Sequence, residues 1–363
     1  MKKVTKLAML LLAGTLSTGF VSCSSSDDVT PSPLVTEEQQ TTLEQAESAS
    51  KANAQKTEMG KIISNYLDAV IKPTYQDLAN KADVLYKTCQ NLYQKRKAGT
   101  LTQNDIDAAC AAFKDARRDW EQSEAFLYGA ATDNQIDPHI DSWPLDHSQL
   151  TQALNNADVI AGITGENPAK YVYENNSNFD SVLGFHGLEF VLFRNGQNRT
   201  VAAFNAEKET EAGLTSVKTI DEAAFAVAVA GDLRNMTYLL EYGWLGLSTP
   251  TSHQEQLANA MWVINGTRYH GLSAKNIPYR DFLRYATTEQ GWFPTWHEAL
   301  QNIFDGGCGN ICNEVAEQKL GQAYRVATGT GTSEDAANYI ESPYSKRSFQ
   351  DYQANIYSIK NSL

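Results

Sequence analysis

The segment from Phe179 to Phe193 is apolar on nearly every side. On a helix that pattern marks an element enclosed by other helices, because a surface helix keeps one polar face. Inside it sit His186 and Glu189. Being three residues apart, they share a helical face, and their side chains can reach a common point. Burying an imidazole and a carboxylate is costly unless each finds an ion pair, a hydrogen-bond network or a metal. Gly184 and Gly187 flank the histidine. A glycine weakens a helix interior by about 1 kcal/mol relative to alanine, so two of them here imply that a backbone or a bound group comes close.

The rest of the chain supplies helices to do the enclosing. From Glu58 apolar residues recur at helical spacing through Ile62, Tyr66, Ala69 and Val70 to Pro73, which can kink or restart the helix, and then through Tyr75, Leu78, Ala82, Leu85, Cys89 and Leu92. After a turn at Gly99 to Gln103, Asn104 is a good N-cap, with Asp105 and Asp107 in the first turn. The next stripe runs Ile106, Cys110, Phe113, Arg117, Trp120, Glu124, Leu127. Arg117 and Glu124 thus stand where apolar residues are expected, either as members of structural salt bridges or as neighbours of His186. Gly196 closes the apolar segment, and a polar connection over 194–217 leads to Thr219 and Glu222, spaced as a capping box that opens a helix to about Tyr242. Further helices are expected over 253–264, 279–303 and 310–325. No run alternates long enough to argue for a sheet, so the fold class is all-α. At 363 residues the chain suggests two domains, placed as helical bundles at 51–210 and 211–363.

The beginning of the chain is different in kind. Lys2, Lys3 and Lys6 precede an apolar run from Leu7 to Leu16, followed by Val21, Ser22 and Cys23, which reads as a signal peptide over 1–22. The Val-Ser-Cys ending resembles a bacterial lipobox with Cys23 as the lipidated residue. The Ser24 to Asp28 run resembles the acidic tether of Bacteroidetes-type surface lipoproteins. Residues 23–50 hold too little apolar surface to fold and read as that tether. The formal charge is −13, and removal of the three leader lysines takes it to −16, which disfavours nucleic acid as a partner. Attachment to the outer membrane, on its periplasmic face or the cell surface, then rests on the lipid.

Four cysteines follow Cys23 in a compartment that permits pairing. Cys89 and Cys110 flank the same turn at nearly equal distances, a placement suited to a disulfide between antiparallel helices. For Cys308 and Cys312 a local disulfide, free thiols and a metal pair all stay open.

Several ordered segments resemble the imelysin-like proteins, also called peptidase family M75 or iron-regulated protein A-like. Gly184-x-His186-x-x-Glu189 is similar to that family's G-x-H-x-x-E. Arg117, Trp120, Glu124 and Gly129 fit its R-x-x-W-x-x-x-E-x-x-x-x-G, and Asp141 with Trp143 and Pro144 fits its D-x-W-P. Toward the C-terminus, Asn313-Glu314-Val315 with Lys319, Glu341 to Ser345, and Asp351 to Ile356 are similar to its N-E-V-x-x-x-K, E-S-P-[FY]-S and D-[FY]-x-x-N-I. The resemblance implies two helical bundles with the G-x-H-x-x-E site near their junction. It also implies a role linked to iron regulation or periplasmic metal uptake with an outer-membrane partner. Family members continue with a further long helix where this chain ends at Leu363, so the last helix of the second bundle is expected to be missing.

The chemistry can be weighed directly. A zincin needs H-E-x-x-H, but residue 187 is glycine and residue 190 is phenylalanine, and the inverted H-x-x-E-H fails at the same position 190. Peptidase activity therefore rests on the family's classification alone. His186 and Glu189 offer one nitrogen and one oxygen, a set suited to iron, zinc or copper more than calcium. Glu124 is expected as a further ligand, with Gly184, Arg117, Trp120, Asp141, Trp143 and Glu314 around it. The alternatives are a satisfied polar network that sets helix register, a metallopeptidase, and a surface module that binds a partner or carbohydrate. His139 and His147 could serve a second site or sit in water; His253, His270 and His297 read as a helix start, a loop and a helix surface.

Overall fold

Helix boundaries in this chain follow local capping chemistry closely. A computed structural model describes residues 34–211, 213–260, 263–264, 267–268, 271–336 and 339–363. The leader, Cys23 and His270 lie outside the described residues. The Thr36 side chain caps Glu37–Ala54 in a capping box with Gln39, and Thr57 caps Glu58–Tyr66. The helix therefore begins inside the stretch read as tether. It is held by tertiary contacts: Leu43 and Ala46 are buried, Ser50 donates to Asp281 Oδ1 at 2.8 Å, and Asn53 donates to the carbonyls of Arg284 and Ala286.

Pro73 leaves the helical run unbroken. A π turn over Leu67–Ile71 runs directly into Lys72–Ala98, with the proline in the first turn where a missing N–H costs least. Gly99 ends that helix at φ +68°. The N-cap of Gln103–Glu121 is Thr102, in a capping box with Asp105, two residues earlier than the expected Asn104. This helix stops at Glu121, so Glu124 stands not on its stripe but on a separate 3-10 turn, Glu124–Phe126.

At the centre lies Thr219–Leu245, buried along almost its whole length and packed on Lys72–Ala98 and on Gly184–Leu192. Its expected capping box does not form. Thr219 is the first helical residue and its hydroxyl reaches back to the carbonyls of Phe204 and Ala206, while Glu222 pairs with Arg199. Between Leu192 and this helix the chain makes a two-residue hairpin, Phe193–Arg194 with Gln197–Asn198, and Gly196 serves its turn at φ +81°.

The expected helix over 279–303 is broken. Tyr279–Arg284 ends at a bend where Thr287 has φ +74° and Pro294 interrupts, and a Thr295–Glu298 capping box starts a new helix at Trp296. From there α and π turns run without a gap through Trp296–Gln301, Asn302–Gly309, Asn310–Glu314 and Val315–Lys319. Gly321–Thr328 and Ser348–Ser362 complete the chain. The described residues are all-α apart from two short hairpins, as expected, and Ser32–Leu363 forms one compact unit. Cys89, Cys110 and Cys308 are buried free thiols and Cys312 is an exposed one, so neither pair is bridged here.

Candidate functional site

Gly184 sets the geometry of the site. It has φ +63°, and a Cβ there would lie 1.8 Å from the Ile140 carbonyl oxygen, so only glycine lets the 140–141 chain come this close. A Cβ on Gly187 would lie 2.0 Å from the Val182 oxygen. The two glycines thus admit backbone rather than a bound group. The approach at Gly184 brings Asp141 Oδ1 to 3.0 Å from His186 Nε2.

Asp141 is the hub. Its carboxylate accepts from Trp120 Nε1 at 2.7 Å and pairs with Arg117 Nη1. Arg117, buried on the same helix face as Trp120, also meets Glu121 Oε1 at 2.5 Å and Glu341 Oε1 at 2.8 Å. Lys319 reaches Glu341 at 3.0 Å and Asn355 at 3.2 Å, with Glu121 and Glu314 each 3.9 Å away. Asn355 donates to Glu121 Oε2 at 2.6 Å, and the Ala125 amide donates to Ser358 Oγ, which anchors the Glu124 turn.

Glu189 does not converge with His186 on one point. Its Oε1 accepts from the amide and hydroxyl of Ser345 at 2.8 and 2.6 Å, and its Oε2 stays 4.0 Å from His186 Nδ1. It stands on the Nδ1 side of the imidazole, beyond hydrogen-bond distance of the ring. The oxygens that do converge belong to a cavity of about 250 Å³ lined by Glu124, Asp137, Asp141, Glu314, Glu341, His186, Lys319, Leu127, Trp143 and Tyr339. Trp143 and Tyr339 meet edge to face at 4.5 Å.

Five carboxyls face one ammonium here, and the protonation equilibria show the strain. Burial pushes the Glu124 carboxyl well above its ordinary range despite Lys319, and nearby Glu121, Asp141 and Asp137 add to the rise. Asp137 is raised to about 7, by burial first and then by Asp141 and Glu314. Burial raises Glu121 to about 7 against the pull of Arg117. Burial also raises Glu189, outweighing His186 and the Ser345 hydrogen bonds. Asp141 goes the other way: burial works upward, but Arg117, His186 and Trp120 together hold it well below the carboxylate range. For Lys319 burial works downward, and Glu124, Glu121, Glu341 and Asp141 more than reverse it.

The residues fit a cation on two counts. Glu341 Oε2 is buried and accepts no hydrogen bond, and the lining chemistry is that of a cation site, although the Glu121, Asp141 and Glu341 oxygens that lie within 4.8 Å of one another are already joined by Arg117. The cavity's donors are mostly oxygen with one imidazole, a set that hard and borderline divalent or trivalent cations take.

Of the expected residues, Glu124, Asp141, Trp143, His186 and Glu314 line this one cavity, while Arg117, Trp120 and Gly184 support Asp141 from behind. Asp137, Glu121, Lys319, Tyr339 and Glu341 were not singled out as site residues. Glu121 was legible as the i+4 partner of Arg117, and Lys319 and Glu341 stood inside quoted motifs; Asp137, on the short helix Ile136–Ile140, carried no sequence signal. Among the described residues the other histidines lie away from this cavity. His139 bonds Asp232 at 2.6 Å, His147 bonds Tyr344, and His297 is exposed. His253 stands at a helix start, as expected, in Thr251–Ala260, where it is buried, bonded to Glu241 at 2.6 Å and stacked on Tyr238.

Comparisons with known proteins bear on the family and the fold. The family model for imelysin, Peptidase_M75, matches residues 71–363. The iron-regulated protein A of Synechococcus elongatus is 31% identical over 131 residues, which is 36% of this chain and 31% of that protein. The chain thus aligns with less than a third of that relative's length. A crystal structure described as an iron-regulated protein A precursor from Parabacteroides distasonis superposes with a TM-score of 0.53 at 26% identity, covering 84% of this chain and 72% of the other.

Proposed function

The chain belongs to the imelysin family, and from that premise and the cavity's chemistry we propose that it binds a divalent or trivalent metal ion, of the iron class, between His186, Asp141 and the facing carboxyls. One observation carries the reading: a small polar cavity holds five carboxyls against a single ammonium, with Glu124 and Asp137 pushed toward protonation by burial. Arg117 pairs with Asp141 and Glu341 and Lys319 with Glu341, so the excess falls on Glu124 and Asp137, and a cation would relieve it. The names of the relatives, iron-regulated protein A, support a role in cation acquisition at the cell envelope. The leader lysines, the apolar run and Cys23 support lipid attachment to the outer membrane, and an uptake protein in that membrane would be the partner. Among the described residues no helix is long and apolar enough to cross a membrane. The peptidase reading gains no support from the lining, where His186 stands as the one imidazole.

The test is titration calorimetry with ferrous, zinc and cupric ions on the chain from Ser24 onward, comparing wild type with His186→Ala and with Glu124→Gln/Asp137→Asn. Near-stoichiometric binding, weakened about tenfold or more by either set, is the expected result. Equal binding by all three proteins, or none by the folded wild type, would remove the proposal.

A further inference from the structure

Lys319 lines two cavities, the acidic one and a larger apolar groove of about 760 Å³ walled by Leu320, Tyr324, Ile340, Phe349 and Tyr352. Its ammonium lies on the acidic side. There it meets Glu341 Oε1 at 3.0 Å and Asn355 Oδ1 at 3.2 Å, with Glu121 Oε2 and Glu314 Oε1 each 3.9 Å away. That is an oxygen shell of the kind a cation takes, filled by a single charge. The ammonium bonds two of these oxygens and holds the others by attraction alone, and Glu341 Oε2 beside it is buried without a hydrogen bond. The second cation of the cluster, Arg117, is held differently. It is 2% exposed, meets Asp141, Glu121 and Glu341 at once, lies over the Phe185 ring and lines neither cavity.

Resting on the metal reading above, we propose that Lys319 is a specificity-determining residue whose ammonium competes with the metal for the same oxygens and leaves through the groove when the metal binds. Charge and space carry the argument. A cavity of about 250 Å³ does not let a multivalent ion and an ammonium stand clear of each other. Arg117 is pinned from several sides by a rigid guanidinium, whereas Lys319 carries a compact charge on a flexible stem. That stem is apolar and borders a groove that is open to water: Tyr324 and Phe349 in its walls are 68% and 77% exposed. Lys346 lines the same groove, so the displaced ammonium passes on to solvent rather than resting beside a like charge. The consequence is selectivity by charge. A monovalent ion offers the oxygens no more than the lysine already does, while a divalent or trivalent ion brings more charge at shorter distance and displaces it.

The probe is zinc chloride. Residues from Ser32 form their own compact unit, so the chain from Ser24 onward is suitable material. Wild type with and without zinc is acetylated by an N-hydroxysuccinimide ester, and the modification of Lys319 is followed by peptide mass spectrometry. Lys81, paired with Asp119 and absent from the cavity lining, controls for general loosening. Calorimetry then compares zinc binding by wild type, Lys319→Met and Lys319→Arg. The expected result is acetylation of Lys319 about tenfold faster with zinc at an unchanged rate for Lys81, zinc held about tenfold more tightly by Lys319→Met, and no gain in Lys319→Arg. Zinc bound while Lys319 stays protected would overturn the inference and leave the metal reading standing. So would a folded Lys319→Met that binds zinc no more tightly than wild type, since the lysine would then be a fixed structural partner. If Lys319→Met does not fold without metal, the labelling of wild type decides alone. No zinc bound by the folded wild type or by either variant would remove both readings.

Discussion

Gly184, Arg117 and His186 make separable contributions at the residue scale. Gly184→Ala must move either its own helix or the 140–141 backbone, because the new methyl would lie 1.8 Å from a carbonyl oxygen. Overpacking of this kind costs about 1–3 kcal/mol. The particular outcome expected is separation of Asp141 from His186, read as weaker metal binding in calorimetry together with a lowered denaturation midpoint. A variant that loses stability but keeps full affinity would show that the His186–Asp141 contact is not needed. Arg117 neutralises Asp141, Glu121 and Glu341 at once. Arg117→Met leaves those buried carboxylates with only Lys319, Asn355, Trp120 and His186 as partners, and breaking a buried ion pair from one side costs about 3–5 kcal/mol. Urea denaturation should show a loss of that order, and a loss below about 1 kcal/mol would mean the cluster is solvated rather than buried.

The elements hold the two walls of the cavity in register. Gly307, in the π turn of the helix beginning at Trp296, lets that helix lie against the Glu124 turn: a Cβ there would be 2.1 Å from the Ala125 oxygen. The same helix carries Glu314 and Lys319, so Gly307→Ala should push the Lys319 wall away from Glu124. Its expected signature is a loss of about 1–3 kcal/mol in stability with a widened cavity and weaker cation binding, checked by denaturation and calorimetry on the same preparation. Unchanged cation affinity would place the sensitive wall elsewhere. The π turns at Leu67–Ile71, Asn302–Gly309 and Val315–Lys319 accommodate such local demands within otherwise continuous helices, which is the usual context of π bulges.

Stability of the whole molecule should vary with pH in a direction set by its buried acids. Asp137, Glu121 and Glu222 are raised to about 7 and Asp351 to about 6, in each case chiefly by burial. A carboxyl raised in the folded state holds its proton where the unfolded chain has already released it. Its stabilising contribution is complete below the ordinary carboxylate value of about 4 and is lost as pH rises through about 7. Groups lowered by folding, such as Asp141 and Glu209, act below that window. The metal-free protein should therefore have a lower urea midpoint at pH 7.5 than at pH 5. A bound cation should reverse the trend, because it stabilises the folded state in proportion to its occupancy and competes with those same protons. A metal-free midpoint that rises over this range would show that the acids are already ionised or screened in the native state.

Much of this was readable before any tertiary contact was known. The enclosed helix followed from an all-round apolar pattern, the all-α class from helical spacing without alternation, and Arg117 as a site neighbour from a charge on an apolar stripe. These are local properties, set by side-chain period and burial cost. The misreadings were local too, at the edges of elements. Thr219 was expected to cap its helix but bonds backward to Phe204 and Ala206, and the helix at Glu37 formed in a polar stretch because Asp281 and Arg284 receive it. Glu189 shares a turn with His186 yet belongs to Ser345, 156 residues away. What the sequence determined by itself was which residues had to be buried and paired. Which of them share a cavity was decided by the tertiary structure, because Asp137, Lys319 and Glu341 meet His186 only through segments distant in the chain, and no local period records that meeting.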